Sequence, residues 1–470
     1  MTNCTTNIRI KEISLSETDL SNIKHQMAQL DWGVLLESAS PNHMDSCWSI
    51  YSAEPIATVQ TCGAITEIDA FGKKSTDRTD PFAIIESLRI RIYSNETSNI
   101  LPFTGGALGY IGYELGYQLE TIKNSDSPQG LDLPDLAIGF YDWALLVNRQ
   151  SNKQFVVVNN TNDNASSTAA LLEKRSQWLM QQTQDPIKQP RFKLTSDWLS
   201  NLDKQTYHDK FKQIQDYILS GDCYQINLTQ RFQAHYQGNE YQAYLALLET
   251  NTPPFAAFLR LPNQAILSLS PERFIKLQDG IVESKPIKGT RPRYQDDTAD
   301  QRSQEALTNS LKDRAENLMI VDLLRNDIGR VCKPGTVKVP KLFAIESFPA
   351  VHHLVSTVTG ELAAEFSSEI LLKYCFPGGS ITGAPKIRAM EIIAQLEPNK
   401  RQVYCGSIGY ISHNGELDMN ISIRTLVCHR GNIYCWAGGG LVADSDPDQE
   451  YQECFDKVSK ILPCLTKLNQ

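Results

Sequence analysis

Residues 404–441, YCGSIGYISHNGELDMNISIRTLVCHRGNIYCWAGGGL, contain three strand-like runs, at 404–411, 421–427 and 433–437. Aliphatic and aromatic residues dominate each run, and short segments that contain glycine or polar residues separate them. Connections of this length join neighbouring antiparallel strands, because parallel strands need a longer crossover. The stretch therefore predicts an antiparallel sheet in the C-terminal half of the chain.

Other periodic segments surround this stretch. The pattern predicts further strands at 32–36, 64–68, 139–147, 155–158, 265–269, 273–277 and 351–359, and helices at 17–30, 204–220, 300–326, 385–396 and 447–465. Because strands and helices are both abundant and most connections between strands are short, the expected fold class is α+β with a largely antiparallel sheet. A Gln/Pro-rich segment at 181–190 is typical of a linker. We expect an N-terminal α/β region at 1–185 and a catalytic region at 195–470.

Composition excludes several classes of protein. The net charge of −9 argues against a nucleic-acid partner, which requires a broad cationic surface. No run of about 18 apolar residues is present, so no membrane span is expected, and the first residues lack the apolar core of a signal peptide. Eleven cysteines without a CxxC pair indicate reduced thiols and a cytoplasmic location.

A basic turn lies at residues 283–293, ESKPIKGTRPR. Pro286 and Gly289 restrict the backbone on both sides of Lys288, which would hold its amine in place. A lysine becomes a nucleophile when desolvation or neighbouring cations lower its pKa. The expected cationic neighbours are Lys285, Arg291 and Arg293. A solvated basic turn is the alternative interpretation.

Carboxylates on two predicted helices form a candidate metal site. Asp313 and Glu316 are one turn apart on the first helix, whose expected core stripe is Leu307, Leu311, Leu318, Met319 and Leu323. The last long helix carries Glu450, Glu453 and Asp456. Such carboxylates could jointly hold Mg²⁺, which needs few protein ligands. The alternative is two acidic faces exposed to solvent.

Three glycine-rich segments are candidate ligand contacts. FPGGSITGAPK at 376–386 runs into a predicted helix, so its backbone amides could cradle an anion, although it lacks the order of a Walker A loop. Gly438, Gly439 and Gly440 precede the last long helix. The segment 105–113, GGALGYIGY, either cradles a ligand or is a strand in which glycine permits close backbone approach.

Taken in this order, the motifs resemble those of the chorismate-utilising enzymes, which include the anthranilate, aminodeoxychorismate, isochorismate and salicylate synthases. The resemblance covers nearly the whole chain and is strongest from Gly221 to Lys457. It implies a large two-layer antiparallel sheet body flanked by helices, as in anthranilate synthase component I. It also implies chorismate as substrate and Mg²⁺ as cofactor.

Two positions distinguish the branches of this family. Lys288 stands in Pro-Ile-Lys-Gly-Thr, where anthranilate synthases carry alanine, and lysine marks the aminodeoxychorismate synthases. Gln225 stands where the isochorismate and salicylate synthases have a water-activating lysine, and a neutral amide cannot act as that base. The resemblance therefore implies a transferase that converts chorismate and ammonia to 4-amino-4-deoxychorismate for 4-aminobenzoate and folate biosynthesis. The alternatives are anthranilate synthase component I and a non-catalytic amino-acid-binding regulator of the same fold.

The resemblance also implies a role for individual residues. Lys288 is the implied nucleophile toward C2 of chorismate, Glu272 the general acid for the 4-hydroxyl, and His353 an active-site histidine. Glu316 and Glu453 are the implied Mg²⁺ ligands. The implied substrate-binding residues are Thr290, Lys386, Tyr410, Arg424, Gly438, Gly439 and Gly440.

A second site and a partner follow from the same resemblance. The implied tryptophan pocket comprises Ser38, Asp45, Ser46, Cys47, Trp48, Pro254, Phe255 and Ala256. Relatives have arginine where this chain has Cys47, which leaves the ligand and the regulation of the pocket open. The sequence contains no glutaminase motif, so ammonia is expected from solution or from a separate glutamine amidotransferase subunit.

Overall fold

The computed structural model describes residues 7–40, 45, 47–94, 101–122, 130–161, 167–184, 189–348 and 351–468. The helices in these ranges are α1 (Glu17–Met27), α2 (Pro81–Ile92), α3 (Leu115–Leu119), α4 (Thr168–Gln181), α5 (Lys204–Leu219), α6 (Glu240–Thr250), α7 (Asp297–Thr308), α8 (Leu311–Gly329), α9 (Ser368–Cys375), α10 (Lys386–Leu396), α11 (Pro447–Val458) and α12 (Leu462–Lys467). A short 3₁₀ turn, Gly379–Ile381, lies between α9 and α10.

The strands of the described ranges are β1 (Ile8–Ile13), β2 (Val34–Glu37), β3 (Trp48–Ser52), β4 (Ala57–Cys62), β5 (Ile65–Ala70), β6 (Lys73–Asp77), β7 (Gly106–Ile111), β8 (Leu136–Tyr141), β9 (Trp143–Asn148), β10 (Gln154–Asn159), β11 (Lys193–Leu194), β12 (Leu199–Ser200), β13 (Gln225–Gln237), β14 (Phe255–Leu261), β15 (Gln264–Ser270), β16 (Arg273–Gln278), β17 (Ile281–Ser284), β18 (Ile287–Pro292), β19 (Lys338–Ser347), β20 (Val351–Glu361), β21 (Gly383–Ala384), β22 (Ser407–Ser412), β23 (Leu417–Asn420), β24 (Thr425–His429) and β25 (Asn432–Leu441).

These strands form two antiparallel sheets. The first has the order β1-β10-β9-β3-β2-β14-β15-β24-β25-β13-β11, with β12 and β21 also paired to β13. The second has the order β18-β20-β17-β16-β23-β22-β7-β8-β4-β5-β6, with β19 paired to β20. One continuous apolar core draws side chains from both sheets. The predicted α+β class with an antiparallel sheet body is confirmed. Both sheets combine strands from 1–185 and 195–470, and the division into two regions stays a prediction.

The segment 404–441 changes sheet between two of its strands. β22 and β23 belong to the second sheet, whereas β24 and β25 belong to the first. The crossing occurs at 421–424, and Arg424 has a φ of 51°, in the left-handed region. The predicted strand at 421–427 is therefore shorter than expected, because alternation of apolar residues does not reveal a left-handed residue.

The predicted core stripe is only partly confirmed, because Leu307 is buried and Met319 and Leu323 pack against the core, whereas the other two leucines do not. The single predicted helix at 300–326 is divided, since Ser310 caps α8 by accepting a hydrogen bond from the Asp313 amide at 3.2 Å. Leu311 and Leu318 are exposed. The residues buried on α8 are Asn317, Ile320, Val321, Leu324, Asp327 and Ile328. A new helix start resets the rotation of the helix, so one periodic stripe cannot describe both segments.

The glycine-rich segment at 105–113 is a close-packed strand. β7 lies between β22 and β8, and a Cβ atom on Gly109 would come within 2.1 Å of the carbonyl oxygen of Ala137. A Cβ on Gly106 would come within 2.3 Å of the carbonyl oxygen of Ile411. Backbone approach, rather than ligand contact, accounts for these glycines.

Candidate active site

Lys288 lies at an irregularity in β18. The pairing of β18 with β20 shifts register between Ile287 and Thr290, and Gly289 there has a φ of 83°. A Cβ on Gly289 would lie 2.9 Å from side-chain atoms of both Asp313 and Leu307. Such a bulge redirects a neighbouring side chain. The Lys288 Nζ lies 3.5 Å from the backbone carbonyl oxygen of Ser380.

The surroundings of Lys288 favour its neutral amine. Burial lowers the pKa of Lys288, the nearby Glu316 and Glu272 raise it, and Lys457 lowers it, with a net decrease. Lys457 is thus the cationic neighbour that acts on Lys288. The expected neighbours are paired elsewhere, because Lys285, Arg291 and Arg293 form ion pairs with Asp45, Asp313 and Asp300.

Glu272 follows β15 and is buried. Burial raises the pKa of its carboxyl to about 7, against the opposing effects of the Ser380 hydroxyl, the Lys288 amine and the Ile287 amide. A carboxyl with such a pKa carries a proton in part of the molecules at neutral pH. The side chain can therefore act as a general acid.

Two carboxylates of α11 lie beside the glycines of β25. A Cβ on Gly439 would lie 3.1 Å from Glu450 Oε2 and 3.2 Å from Glu453 Oε1, so glycine leaves room for both carboxylates. Burial raises the pKa of Glu316, and Glu453 is among the groups that raise it further. The Lys457 Nζ lies 2.5 Å from Glu453 Oε1 and 2.6 Å from the carbonyl oxygen of Gly438.

This donor set fits Mg²⁺. Within the described ranges, no group of three or more His, Cys, Asp or Glu side chains has the arrangement of a complete metal site. Mg²⁺ does not require one, because it commonly binds one or two carboxylates together with water and substrate oxygens. Glu316 and Glu453 offer hard oxygen donors from two helices, and Glu453 is among the charges that raise the pKa of Glu316.

His353 and Arg424 line another side of the site. The Thr290 hydroxyl and His353 Nδ1 are 2.8 Å apart, and the ring of Phe348 lies edge-on to the imidazole at 5.1 Å. Burial lowers the pKa of His353 to about 4, and the adjacent Arg424 contributes. The imidazole is therefore neutral at physiological pH. Arg424 has no carboxylate partner in the part of the chain that the structure describes, which suits it to an anionic ligand.

The structure separates two of the predicted substrate-binding residues from this cluster. The Lys386 Nζ lies 2.6 Å from Asp327 Oδ2 and donates to the carbonyl oxygen of Cys375 at 3.2 Å. Tyr410 packs edge-on against Phe103 and lines a cavity between the two sheets, which is described below. Gly440 lies against Gln225, because a Cβ there would be 2.6 Å from Gln225 Nε2.

A cavity of about 310 Å³ lies between the two sheets. Seven of the eight residues predicted for the tryptophan pocket line this inter-sheet cavity. They are Ser38, Asp45, Cys47, Trp48, Pro254, Phe255 and Ala256. Ser46 lies outside the described residues. Burial raises the pKa of Asp45, but Arg273 and Lys285 lower it by more, to about 2. The guanidinium of Arg273 lies under the ring of Phe255 at 5.1 Å.

Sequence reasoning missed several groups in the catalytic cluster. Ser380 and Lys457 contact predicted site residues, yet each was only part of a quoted motif without a role. Asn227 also adjoins the cluster and was given no role. Glu450, which also adjoins it, was among the carboxylates that the sequence indicated. The glycine content of 378–383 and the three-residue spacing of acidic residues on α11 were the available signals, but neither shows which side chain points inward.

The site therefore combines a half-buried lysine whose pKa is lowered with a buried carboxyl whose pKa is raised, an arrangement typical of enzyme active sites. Among the described residues, Arg424 has no carboxylate partner and is available to an anionic ligand. The family model described as chorismate binding enzyme matches residues 46–463. The chain belongs to this family of enzymes. In the described part of the chain, no helix has both the length and the apolar character needed to span a membrane.

Relatives within the family differ in similarity. The chain is 49% identical to aminodeoxychorismate synthase component 1 of Escherichia coli (strain K12), covering 94% of this chain and 95% of the relative. It is 33% identical to anthranilate synthase component 1 of Aquifex aeolicus (strain VF5), covering 96% and 92%. The solved structure of anthranilate synthase component I from Streptococcus pneumoniae matches with a TM-score of 0.79 and 29% identity, covering 90% of this chain and 93% of that chain. The similarity confirms the branch that Lys288 and Gln225 predicted.

Proposed function

We propose that this chain is the chorismate-aminating subunit of an aminodeoxychorismate synthase. The observation that carries the proposal is the half-buried Lys288, whose amine has a lowered pKa and is close enough to Glu272 and Glu316 for both carboxyls to affect it. The greater similarity to relatives named aminodeoxychorismate synthase component 1 supports the same branch. The substrate is chorismate, and Arg424 is available for one of its carboxylates.

The proposed reaction has two displacements. The Lys288 nitrogen forms a bond to C2 of the ring, the double bond shifts, and the C4–oxygen bond breaks. Glu272 gives its proton to the departing hydroxyl, which leaves as water. Ammonia then forms a bond at C4, the double bonds shift back and the bond between C2 and the Lys288 nitrogen breaks, which frees the lysine amine. The new nitrogen at C4 returns a proton to Glu272, and 4-amino-4-deoxychorismate is released. Thr290 orients the neutral His353 through the 2.8 Å contact at Nδ1.

Glu316 and Glu453 would hold a bound Mg²⁺ ion, which would neutralise the ring carboxylate of the substrate.

Replacing Glu453 by glutamine is expected to raise the Mg²⁺ concentration for half-maximal activity by at least about 10-fold, since an amide lacks the charge of the carboxylate. Titrating Mg²⁺ with chorismate and ammonium salt measures this. Asp456→Asn, on the exposed face of the same helix, is the matched control. Equal Mg²⁺ dependence in the two variants would rule Glu453 out as a ligand.

The nearest alternative function, anthranilate synthase, makes a different product. Anthranilate is fluorescent and is released together with pyruvate, whereas aminodeoxychorismate keeps its enolpyruvyl group. With chorismate, Mg²⁺ and ammonium salt, we expect a non-fluorescent product that retains this group. Anthranilate as the main product would overturn the proposal. A chain that neither reacts with chorismate nor responds to Mg²⁺ would be the amino-acid-binding regulator.

We also propose that a separate glutamine amidotransferase subunit supplies the ammonia, because the sequence has no glutaminase motif and the relatives are named as component 1. The chain alone should therefore use ammonium salt and not glutamine. Activity with glutamine in the absence of any second subunit would contradict this.

Free buried thiols such as Cys223, Cys375 and Cys428 support a reducing compartment such as the cytoplasm.

We further propose that the inter-sheet cavity binds tryptophan. The aromatic side chains of Trp48 and Phe255 and the charged pair of Asp45 and Arg273 offer apolar and polar contacts to an amino acid. Ala256→Phe should fill the cavity and weaken tryptophan binding by at least about 10-fold. Calorimetric titration with tryptophan, and with serine as the control ligand, tests this. Unchanged affinity in the variant would place the ligand elsewhere.

A further inference from the structure

Ser380 contacts both reacting groups of the proposed mechanism. It lies in the 3₁₀ turn between α9 and α10 and is almost fully buried. Its backbone carbonyl oxygen accepts a hydrogen bond from the Lys288 Nζ at 3.5 Å. Its hydroxyl faces the Glu272 carboxyl and lowers the pKa of that carboxyl. One residue therefore contacts the amine through its main chain and the acid through its side chain.

A chain of two buried amides fixes the direction of the Ser380 carbonyl. Asn227 Nδ2 donates to this carbonyl at 3.2 Å, and Gln225 Nε2 donates to Asn227 Oδ1 at 3.1 Å. Because a carbonyl oxygen can only accept, the Asn227 amide must present its NH₂ group to Ser380. The Gln225 amide must then present its own NH₂ group to Asn227. The orientation of both amides follows from the carbonyl end of the chain.

The guanidinium of Arg401 holds the backbone on both sides of this contact. Arg401 Nη1 donates to the carbonyl oxygen of Ile381 at 2.8 Å, and Nη2 donates to the carbonyl oxygen of Asn227 at 3.1 Å. Arg401 is itself 1% exposed and paired with Glu397 at 2.7 Å. The 3₁₀ turn and β13 are thus tied to one rigid group, which keeps the Ser380 carbonyl and the Asn227 amide at a constant separation.

From this geometry, we propose that Ser380 and Asn227 are positioning residues, which hold the Lys288 amine and the Glu272 carboxyl in their reactive arrangement. Ser380 orients the acid through its hydroxyl, and Asn227 orients the amine through the Ser380 carbonyl. The inference rests on the proposed function, because it assigns its parts to Lys288 as nucleophile and Glu272 as acid.

Ser380→Ala removes only the contact with the acid. The groups facing the Glu272 carboxyl are the Ser380 hydroxyl, the Lys288 and Lys457 amines and the Ile287 amide. A hydroxyl that donates to the ionised carboxyl lowers its pKa, so its loss should raise that pKa above about 7. The alkaline limb of kcat/KM should therefore move to higher pH by about half to one unit. The backbone carbonyl that contacts the Lys288 amine remains in this variant.

Asn227→Ala removes the support of the carbonyl, together with the acceptor of the Gln225 amide. It should slow formation of the covalent adduct with chorismate by about 10-fold, because the amine loses part of its preorganisation. The alkaline limb of kcat/KM should stay at the pH of the unchanged protein. Rapid-quench intact-mass measurement in the absence of ammonia follows the adduct directly.

Ser52→Ala is the matched control, since Ser52 is a fully buried serine whose hydroxyl donates to the carbonyl oxygen of Trp143 at 2.7 Å. Thermal unfolding of each variant separates misfolding from mispositioning. If the unchanged protein forms no adduct, the proposed function fails. If it forms the adduct but Ser380→Ala leaves the alkaline limb in place, or Asn227→Ala leaves the adduct rate unchanged, the positioning assignment fails while the proposed function stands.

Discussion

Replacing Lys288 by alanine is expected to abolish the covalent adduct with chorismate and to lower the rate of 4-amino-4-deoxychorismate formation by at least about 10³-fold. The amine is the group that forms the bond to C2, and burial makes its neutral form accessible by lowering its pKa. Alanine offers no nucleophile at this position. Some direct attack of ammonia at C2 could then give traces of the product that anthranilate synthases make.

The measurement is intact mass after incubation with chorismate and Mg²⁺ but without ammonia, followed by product analysis with ammonia. Lys288→Arg is the matched control, because it keeps the length and the positive charge but stays protonated. Both variants should lack the adduct. If Lys288→Ala aminated chorismate at C4 at the unchanged rate, the nucleophile would have to be another group.

Replacing Glu272 by glutamine is expected to lower kcat by about 10²- to 10⁴-fold, since an amide cannot give a proton to the departing hydroxyl. The protonated carboxyl is the active form. Burial raises the pKa of Glu272 to about 7, so kcat/KM of the unchanged protein should fall as the pH rises through this value. A pH profile from 5 to 9 with chorismate below saturation measures both effects.

Glu114 provides a matched comparison for Glu272. It is also buried, burial raises its pKa to about 7, and its carboxylate accepts hydrogen bonds from the amides of Arg401 and Gln402. Glu114→Gln should therefore keep the alkaline limb of the pH profile. If the fall in kcat/KM at alkaline pH disappeared in Glu114→Gln but persisted in Glu272→Gln, the titrating carboxyl would be Glu114. The assignment of Glu272 as the general acid would then be wrong.

The sequence indicated several of the residues that the structure brings together, because their motifs are local. Lys288 between Pro286 and Gly289, Glu272 after a strand, and the spacing of Glu450 and Glu453 are all visible in short windows. The identity of the cation that acts on Lys288 was not visible. Lys457 is far away in the sequence, whereas the nearby basic residues are neutralised by aspartates that only the folded chain brings to them.

The placement of Tyr410 shows a different limit. β22 is paired with β7 and β23, and the tyrosine side chain lies in the inter-sheet cavity and not beside Lys288. A strand side chain points to one face or the other according to register, and register depends on partners far away in the sequence. The left-handed conformation of Arg424 was hidden for a related reason, since no glycine marks the point where the chain changes sheet.

Each of the two sheets contains strands from both halves of the chain, which limits how the chain can be divided. A cut in the Gln/Pro-rich segment would give two fragments, each with strands whose hydrogen-bonding edges are left bare. Neither fragment should fold alone, and the two should regain activity only when produced together. Contacts across such long sequence separations also imply slow folding, with a high contact order compared with a chain of independent halves.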